Sequence, residues 1–237
     1  MTDTVDLLRR NLAQVEARIL AACQRAGRDR AEVTLVAVTK YVTAAQALPL
    51  KELGVTHWGE SRPQELWKKA EAVPGVTWHL VGHLQRNKVD RTLPLTHLIH
   101  SVDSVRLLKE LEAEASKQQR HVSVLLEVHL SGEAAKQGFA VAELASLPAF
   151  LATLRRVRVQ GLMCMAPLEG TLADARRVFA QLRQLKEELA PQVSPLHEMR
   201  QLSMGMTHDF DVAIEEGATL IRVGSALFTG LPREEPA

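Results

Sequence analysis

The chain has 237 residues, enough for one large domain or two small ones. Hydrophobic residues make up 46% of it and charged residues 24%, close to the averages of globular proteins, which excludes a disordered or collagen-like chain. The 29 basic residues balance 28 acidic ones and form no basic block, so we expect no nucleic-acid partner.

Targeting and redox features predict a cytoplasmic protein. The opening segment MTDTVDLLRR carries acids where a signal peptide has basic residues, and polar residues interrupt every apolar run before it reaches membrane-spanning length. Cys23 and Cys164 lie far apart and belong to no CxxC or Cys/His pattern, which indicates two reduced thiols. We therefore expect no membrane partner, no disulfide and no metal site.

The first predicted element is a helix, because apolar residues recur at spacings of three and four from Val5 to Ile19, and Gly27 supplies a stop. Short β-branched or apolar runs then predict eight strands, at 33–38, 55–59, 77–81, 97–102, 122–128, 157–163, 200–204 and 219–223. Segments of helical period fill most of the gaps, for example at 44–53, 105–115, 173–189 and 210–216. The gap after the third strand has only a short helical stretch, around 86–91.

This alternation predicts an α/β protein, a single (β/α)8 TIM barrel over 1–237 with an additional N-terminal helix over 1–28 packed on it. An open, doubly wound sheet is the alternative, but that fold normally carries a glycine-rich turn after its first strand and none is present. In a barrel, the residues that follow each strand share the C-terminal face, where barrel enzymes keep their chemistry.

Lys40 directly follows the first predicted strand. Alternation puts Val36, Val38 and Lys40 on one strand face, so the amine points into the barrel mouth if the valines point inward. An amine over an apolar interior loses hydration, which favours its neutral, nucleophilic form and Schiff-base chemistry. The alternative is a solvated lysine that ends a strand.

Two turns near the end of the chain predict a phosphate site. They contain Ser203, Gly205, Met206 and Thr207 after the seventh strand, and Gly224 and Ser225 after the eighth. Thr207 is suited to cap the helix that follows, and the second turn opens a last short helix. Glycines and free amides at such turns favour an anion, and barrels commonly hold phosphate in these two loops. Ordinary turn chemistry is the alternative.

Arg222 lies inside the eighth predicted strand, among apolar neighbours. Alternation puts Leu220, Arg222 and Gly224 on one face, so the guanidinium points inward with the second turn. A buried arginine needs a partner, which is either a structural carboxylate such as Glu127 or the aromatic nitrogen of a bound cofactor. Strand eight pairs with strand one in a closed barrel, so one ligand with an aldehyde and a phosphate, such as pyridoxal 5′-phosphate (PLP), satisfies both sites.

The chain resembles the pyridoxal phosphate homeostasis proteins (the YggS/PROSC type), whose barrel is similar to the N-terminal domain of alanine racemase. The resemblance rests on the segments LVAVTK, WHLVGHLQRNK, SGEAAKQGF, GLMCM, LSMGMTHDFDVAI and IRVGSALF. It implies that Lys40 forms the Schiff base with PLP and that Arg222 faces the pyridine nitrogen. It also implies a phosphate cradle of Ser203, Gly205, Met206, Thr207, Gly224 and Ser225.

The sequence departs from the family pattern FGEN, because Ser61 replaces the asparagine expected near the cofactor ring. Lys88 and Lys136 follow strands three and five, which predicts them on the same face, within reach of an entering anion. His79 and His83 are spaced like a helical metal-binding pair but fall on a predicted strand and loop without an acidic third ligand, so we expect no metal there, and the nine histidines otherwise scatter along the sequence.

The expected function depends on acid/base groups. A PLP racemase needs one on each face of the substrate α-carbon, and alanine racemase takes the second from a C-terminal domain that we expect to be missing here. The only tyrosine, Tyr41, adjoins Lys40, and Arg222 weakens the electron sink of the ring. We predict a monomeric non-enzyme that holds, buffers or delivers PLP to apo PLP-dependent enzymes. The alternatives are an amino-acid racemase and a Schiff-base aldolase-type barrel that binds a sugar phosphate.

Overall fold

The computed structural model describes residues 2–130, 137–193 and 195–232. Within these ranges eight parallel strands pair in chain order, and the last pairs with the first to close a barrel. Strands β1 to β8 are Thr34–Val38, His57–Glu60, Thr77–Leu80, Leu98–Val102, Val122–Glu127, Val157–Met163, Gln201–Ser203 and Leu220–Val223. The predicted (β/α)8 TIM barrel is confirmed, and each strand lies where its apolar run predicts it.

Helices connect the strands on the outside of the barrel. Helices α1 to α9 are Thr2–Ala26, Ala44–Glu52, Pro63–Ala72, Val89–Thr92, Val105–Lys117, Val141–Leu144, Leu147–Leu151, Leu172–Leu189 and Phe210–Glu215. Side-chain oxygens of Thr43, Ser104 and Thr171 cap the connecting helices α2, α5 and α8. In the ranges described, none of these helices combines the length and apolar character needed to cross a bilayer.

Helix α1 packs across the outside of the barrel. Its apolar stripe is buried, and the amide of Asn11 donates to the carbonyls of Leu227 and Thr229, both at 2.9 Å. Arg28, just after the helix, donates to the carbonyls of Ile214 and Ala218 at the end of α9. These hydrogen bonds attach the N-terminal helix to the last βα unit. That the whole chain forms a single domain stays a prediction.

Two expectations about the last turns are wrong. The helix after β7 begins at Phe210 and its N-cap residue is Asp209 rather than Thr207; the Asp209 carboxylate accepts a hydrogen bond from the preceding Met206 amide at 2.5 Å and from no amide of the described helix. After β8, residues 225–230 form successive turns instead of a helix, with the Gly224 carbonyl accepting the amides of residues 227 and 228.

The barrel interior fixes which side chains reach its mouth. Its apolar part is a cluster of buried side chains, Val36, Leu98, Leu125, Met163 and Leu220. Val36 on β1 and Leu220 on β8 point inward. Because side chains alternate along a strand, residues 38 and 40 after Val36, and residues 222 and 224 after Leu220, lie on the same inner face. Val36 and Arg222 are direct partners in the β1–β8 register.

Candidate functional site

A cavity of about 550 Å³ opens at the C-terminal end of the barrel, a volume typical of small-molecule sites. Six of the predicted site residues line this cavity: Lys40, Met206, Thr207, Arg222, Gly224 and Ser225. Ser61, at the family's asparagine position, also lines it. The lysine and the two turns therefore face one space, as their positions after β1, β7 and β8 predict.

Ser203 and Gly205 lie behind the cavity wall. Ser203 is fully buried, and its hydroxyl oxygen accepts a hydrogen bond of 2.6 Å from Nη1 of Arg222. Gly205 has a φ of +90°, and a Cβ there would lie 2.5 Å from the Cβ of Ala213, so packing and backbone both require glycine. Its carbonyl accepts the amide of Arg222 at 3.0 Å. Both residues support the site from beneath.

Lys40 is half-buried at the mouth of the barrel, with its Nζ 4.7 Å from the centre of the Tyr41 ring. The preceding residue, Thr39, is fully buried and its amide donates to the Gly59 carbonyl at 3.0 Å. The backbone that carries the lysine is therefore tied to β2, while the amine itself faces the cavity.

A buried ion pair that the sequence analysis missed holds Thr39 from the other side. Nζ of Lys69 lies 2.6 Å from Oε1 of Glu60 and donates to the Thr39 carbonyl at 2.7 Å. The Thr39 hydroxyl donates to the same carboxylate oxygen at 2.5 Å. The pattern that could have revealed it is Leu66, Lys69 and Val73, a helical stripe in which a lysine occupies a core position.

The turns after β7 and β8 touch one another. The hydroxyls of Thr207 and Ser225 are 3.0 Å apart, and the Ala226 amide donates to the Thr207 oxygen at 3.4 Å. The amides of Thr207, His208, Gly224 and Ser225 have no acceptor in the described part of the chain. Two hydroxyls and several free amides at the edge of a cavity suit an anion such as a phosphate.

Arg222 forms the floor of the cavity and is 5% exposed. Its Nη1 donates to Ser203 and its Nη2 donates to the Cys164 carbonyl at 2.9 Å. Within the described ranges its hydrogen bonds go to neutral groups only. The ion pair with Glu127, which the sequence left open as an alternative, is therefore not formed. The guanidinium is thus held rigidly while its charge remains available to a ligand.

Glu127, the last residue of β5, is the carboxyl that the sequence analysis did not place in the site. It lines the cavity, is 5% exposed, and its carboxyl contacts no hydrogen-bonding or ionic partner among the described residues. Burial raises the pKa of Glu127 to about 7, although the Arg222 charge opposes this. A proton therefore resides on this carboxyl for much of the time near neutral pH. A charged residue that ends the apolar run VSVLLE is the pattern that could have indicated it.

Of the two other lysines predicted on this face, the structure describes Lys88, which stands apart from Lys40. Lys88 lies at the end of the 3-10 turn Arg86–Lys88 and faces a second cavity of about 610 Å³, which also contacts Arg62 and Lys68. Lys136 lies outside the described residues. Lys88 is not among the described residues that line the cavity beside Lys40.

Several of the histidines that scatter along the sequence lie close together in the structure. His57, His79 and His100, on β2, β3 and β4, are joined by two nitrogen–nitrogen contacts of 2.9 Å, and the His97 ring lies 5.9 Å from that of His79. Nδ1 of His100 lies 2.8 Å from the Ser203 oxygen, so the cluster reaches the floor of the cavity. In the ranges described, no three potential ligands are arranged to hold a metal ion.

His79 predicts an acid-dependent loss of stability. Burial lowers the pKa of His79 to about 3, so between pH 6.5 and 3 the unfolded chain binds a proton there that the folded chain does not. Stability should therefore fall as pH drops through this window, by about 1.4 kcal/mol per pH unit for this residue. Urea unfolding at several pH values gives the free energy of unfolding as a function of pH, and this free energy should change less steeply with pH in His79→Gln than in the wild-type protein. The same pH dependence in both proteins would contradict the lowered pKa of His79.

Comparison with known proteins places this geometry in a family. The family model for the alanine racemase N-terminal domain matches residues 10–232. The pyridoxal phosphate homeostasis protein of Aquifex aeolicus is 39% identical over 92% of this chain and 95% of that protein, and that of Pseudomonas aeruginosa is 36% identical over 96% and 97%. The chain belongs to the pyridoxal phosphate homeostasis protein family. These relatives are named as homeostasis proteins rather than as enzymes.

Solved structures agree with this family at the level of the fold. PipY from Synechococcus elongatus, solved with PLP bound, is 35% identical, with a TM-score of 0.82 over 93% of this chain and 99% of that one. The alanine racemase of Corynebacterium glutamicum is 16% identical, with a TM-score of 0.70 over 98% of this chain and 64% of that one. At that identity the racemase shares the barrel fold alone.

Proposed function

We propose that this protein binds PLP in the cytoplasm and takes part in PLP homeostasis, as a monomer that stores the cofactor and delivers it to apo PLP-dependent enzymes. One observation carries the proposal: an amine, two turns with free amides and a buried guanidinium surround a single cavity of suitable volume. The names of the relatives and the PLP bound in PipY support it. Two separate, buried cysteines are consistent with a reducing compartment.

The residues present fit PLP group by group. Lys40 supplies the amine for the aldehyde, and the hydroxyls of Thr207 and Ser225 with the free amides around them supply donors for the phosphate. Arg222, fixed by Ser203 and the Cys164 carbonyl, supplies a permanent cation for the ring nitrogen. PLP itself contributes an electrophilic aldehyde and an electron-withdrawing ring when it is bound.

The arrangement favours storage over catalysis. A cation at the ring nitrogen opposes protonation of that nitrogen, which weakens the electron sink that carbanion chemistry requires. Arg222 cannot give up its charge, and both of its terminal nitrogens are already committed to the protein. We therefore propose that the chain binds the cofactor without sustained turnover of amino acids.

The test of PLP binding is reductive labelling. Borohydride treatment of protein incubated with PLP should fix pyridoxyl on Lys40, as read by peptide mass spectrometry, because this lysine faces the cavity. Lys40→Ala should lose the visible absorbance of the bound cofactor, whereas Lys88→Ala, at the second cavity, should keep it. A label on Lys88 in the wild-type protein would show that the assignment is wrong.

Glu127 supports a second candidate function, a slow amino-acid racemase. Its carboxyl lines the same cavity as Lys40 and carries a proton near neutral pH, which is the property required of a second acid/base group. Aldolase-type chemistry on a sugar phosphate, in contrast, has no separate observation in its favour.

Proton exchange separates the two candidates. With PLP-loaded protein and L-alanine in deuterated buffer, we expect deuterium uptake at the α-carbon far below the ordinary enzyme rate of about one per second. If Glu127 transfers a proton, Glu127→Gln should lower the residual uptake by about 100-fold. Turnover of about one per second or more that requires both Lys40 and Glu127 would establish the racemase and reject the carrier.

A further inference from the structure

A continuous chain of hydrogen bonds runs through the barrel interior from Arg222 to His57. It starts at the guanidinium, passes through Ser203, His100 and His79, and ends at His57 at the beginning of β2. Its four contacts measure 2.6, 2.8, 2.9 and 2.9 Å, and the members between its two ends are 0 to 1% exposed. Only the far end, His57, is partly exposed.

The donor and acceptor roles along this chain follow from Arg222. A guanidinium only donates, so the Ser203 oxygen accepts from Nη1 and must donate its own hydrogen elsewhere. The one acceptor that the described residues place within its reach is Nδ1 of His100. His100 therefore carries its proton on Nε2 and donates to Nδ1 of His79, which in turn donates from Nε2 to Nδ1 of His57.

We propose that these residues form a chain of a single polarity, in which His100 and His79 are positioning residues that hold Ser203 as the acceptor for Arg222. The reverse polarity would aim two donors at the Ser203 oxygen and leave the buried hydroxyl hydrogen without an acceptor. If His100 or His79 were doubly protonated, both of its ring nitrogens would be donors, and one of them would face the donor of a neighbouring residue in the chain. Burial and the neighbouring histidines hold the pKa of His100 well below its ordinary value, in agreement with a neutral chain.

The consequence concerns the floor of the cavity. The side chain of Arg222 has two anchors, Ser203 on Nη1 and the Cys164 carbonyl on Nη2. Loss of the histidine acceptor frees the Ser203 hydroxyl to rotate and weakens the first anchor, so the guanidinium no longer has a fixed direction toward a ligand ring. Residues remote from the cavity thereby set the orientation of a group inside it.

The first test reads the tautomers directly and needs no ligand. Two-bond proton–nitrogen correlation spectra of ¹⁵N-histidine-labelled wild-type protein at pH 8 should show His57, His79 and His100 as Nε2–H tautomers, with assignments from single His→Gln variants. A Nδ1–H tautomer or a doubly protonated ring at His100 would overturn the proposal. Because the spectra are recorded on the wild-type protein and its histidine rings can also be assigned through correlations with their own backbone signals, the test does not require every variant to fold.

The second test rests on the proposed function and uses 4′-deoxypyridoxine 5′-phosphate, which lacks the aldehyde and therefore does not depend on Lys40. His100→Leu removes the acceptor and should weaken binding about tenfold, and should also shift the ring absorbance of the bound analogue. His100→Asn places an amide oxygen near the position of Nδ1 and should stay within about threefold of wild type. Equal binding by both folded variants and the wild type would overturn the positioning role. No binding of either the analogue or PLP by the wild type would instead reject the proposed function and leave the tautomer result intact.

Discussion

A Ser225→Asp variant is expected to bind PLP about 100-fold more weakly than the wild-type protein. The Ser225 hydroxyl lies 3.0 Å from that of Thr207, where free amides of both turns converge, so a carboxylate there would meet the phosphate. Two unit charges 4 Å apart repel by about 1 kcal/mol in water and about 4 kcal/mol at the effective dielectric near a protein surface. A 100-fold loss corresponds to about 2.7 kcal/mol, between these limits.

Matched controls separate charge from packing in this experiment. Ser225→Asn has nearly the same volume as the aspartate and no charge, so it should lose less than about tenfold in affinity. Pyridoxal, which lacks the phosphate, should bind all three proteins about equally in absorbance titrations. Equal losses for both ligands would mean that the turn is structural only. Position 224 is less suitable, because a Cβ on Gly224 would lie 3.0 Å from the Val38 carbonyl oxygen.

The barrel could be predicted from the sequence because its strands are short apolar runs separated by helical periods. Most residues of these runs are buried on both faces of the strand, which makes the runs visible in the sequence without any knowledge of neighbouring strands. The positions of Lys40 and Arg222 follow from the same rule, since alternation from Val36 and from Leu220 carries them to the mouth.

The contacts between strands could not be predicted in the same way. His57, His79 and His100 are about twenty residues apart, and their hydrogen bonds depend on the shear of the barrel and on the exact strand register. A shift of one residue in any strand would turn a ring to the other face. The polar interior was therefore missed, although each histidine lies on a predicted strand.

The sequence prediction of Thr207 as the helix cap after β7 was wrong because the helix begins later, at Phe210. Thr207 has the residue type of a cap, but the Asp209 carboxylate takes the Met206 amide and the helix begins at Phe210. The Thr207 hydroxyl instead contacts Ser225 on the neighbouring turn. Residue preferences predict correctly that this turn holds a capping residue, but they select the wrong one. The contact between Thr207 and Ser225 joins two turns that are distant in the sequence, so local preferences do not reveal it.

The buried ion pair beneath Lys40 leads to the second large expected effect. Lys69→Met should lower the free energy of unfolding by about 3 to 5 kcal/mol, because it leaves the carboxylate of Glu60 buried without its cation. The Glu60 side chain is only 1% exposed, and among the described residues its Oε2 has no hydrogen-bond partner even with Lys69 in place.

Urea unfolding, read by the far-ultraviolet circular dichroism of the helices, measures this loss against two controls. Lys68→Met removes the exposed neighbour that pairs with Glu65 on the surface and should cost less than about 1 kcal/mol. The double variant Lys69→Met/Glu60→Gln removes both charges and should regain most of the stability lost by Lys69→Met alone. If the double variant were as unstable as the single one, the cost would come from packing around α3 rather than from an uncompensated charge. Because Lys69 and Glu60 both hold Thr39, the residue before Lys40, we also expect the double variant to bind PLP more weakly than Lys68→Met.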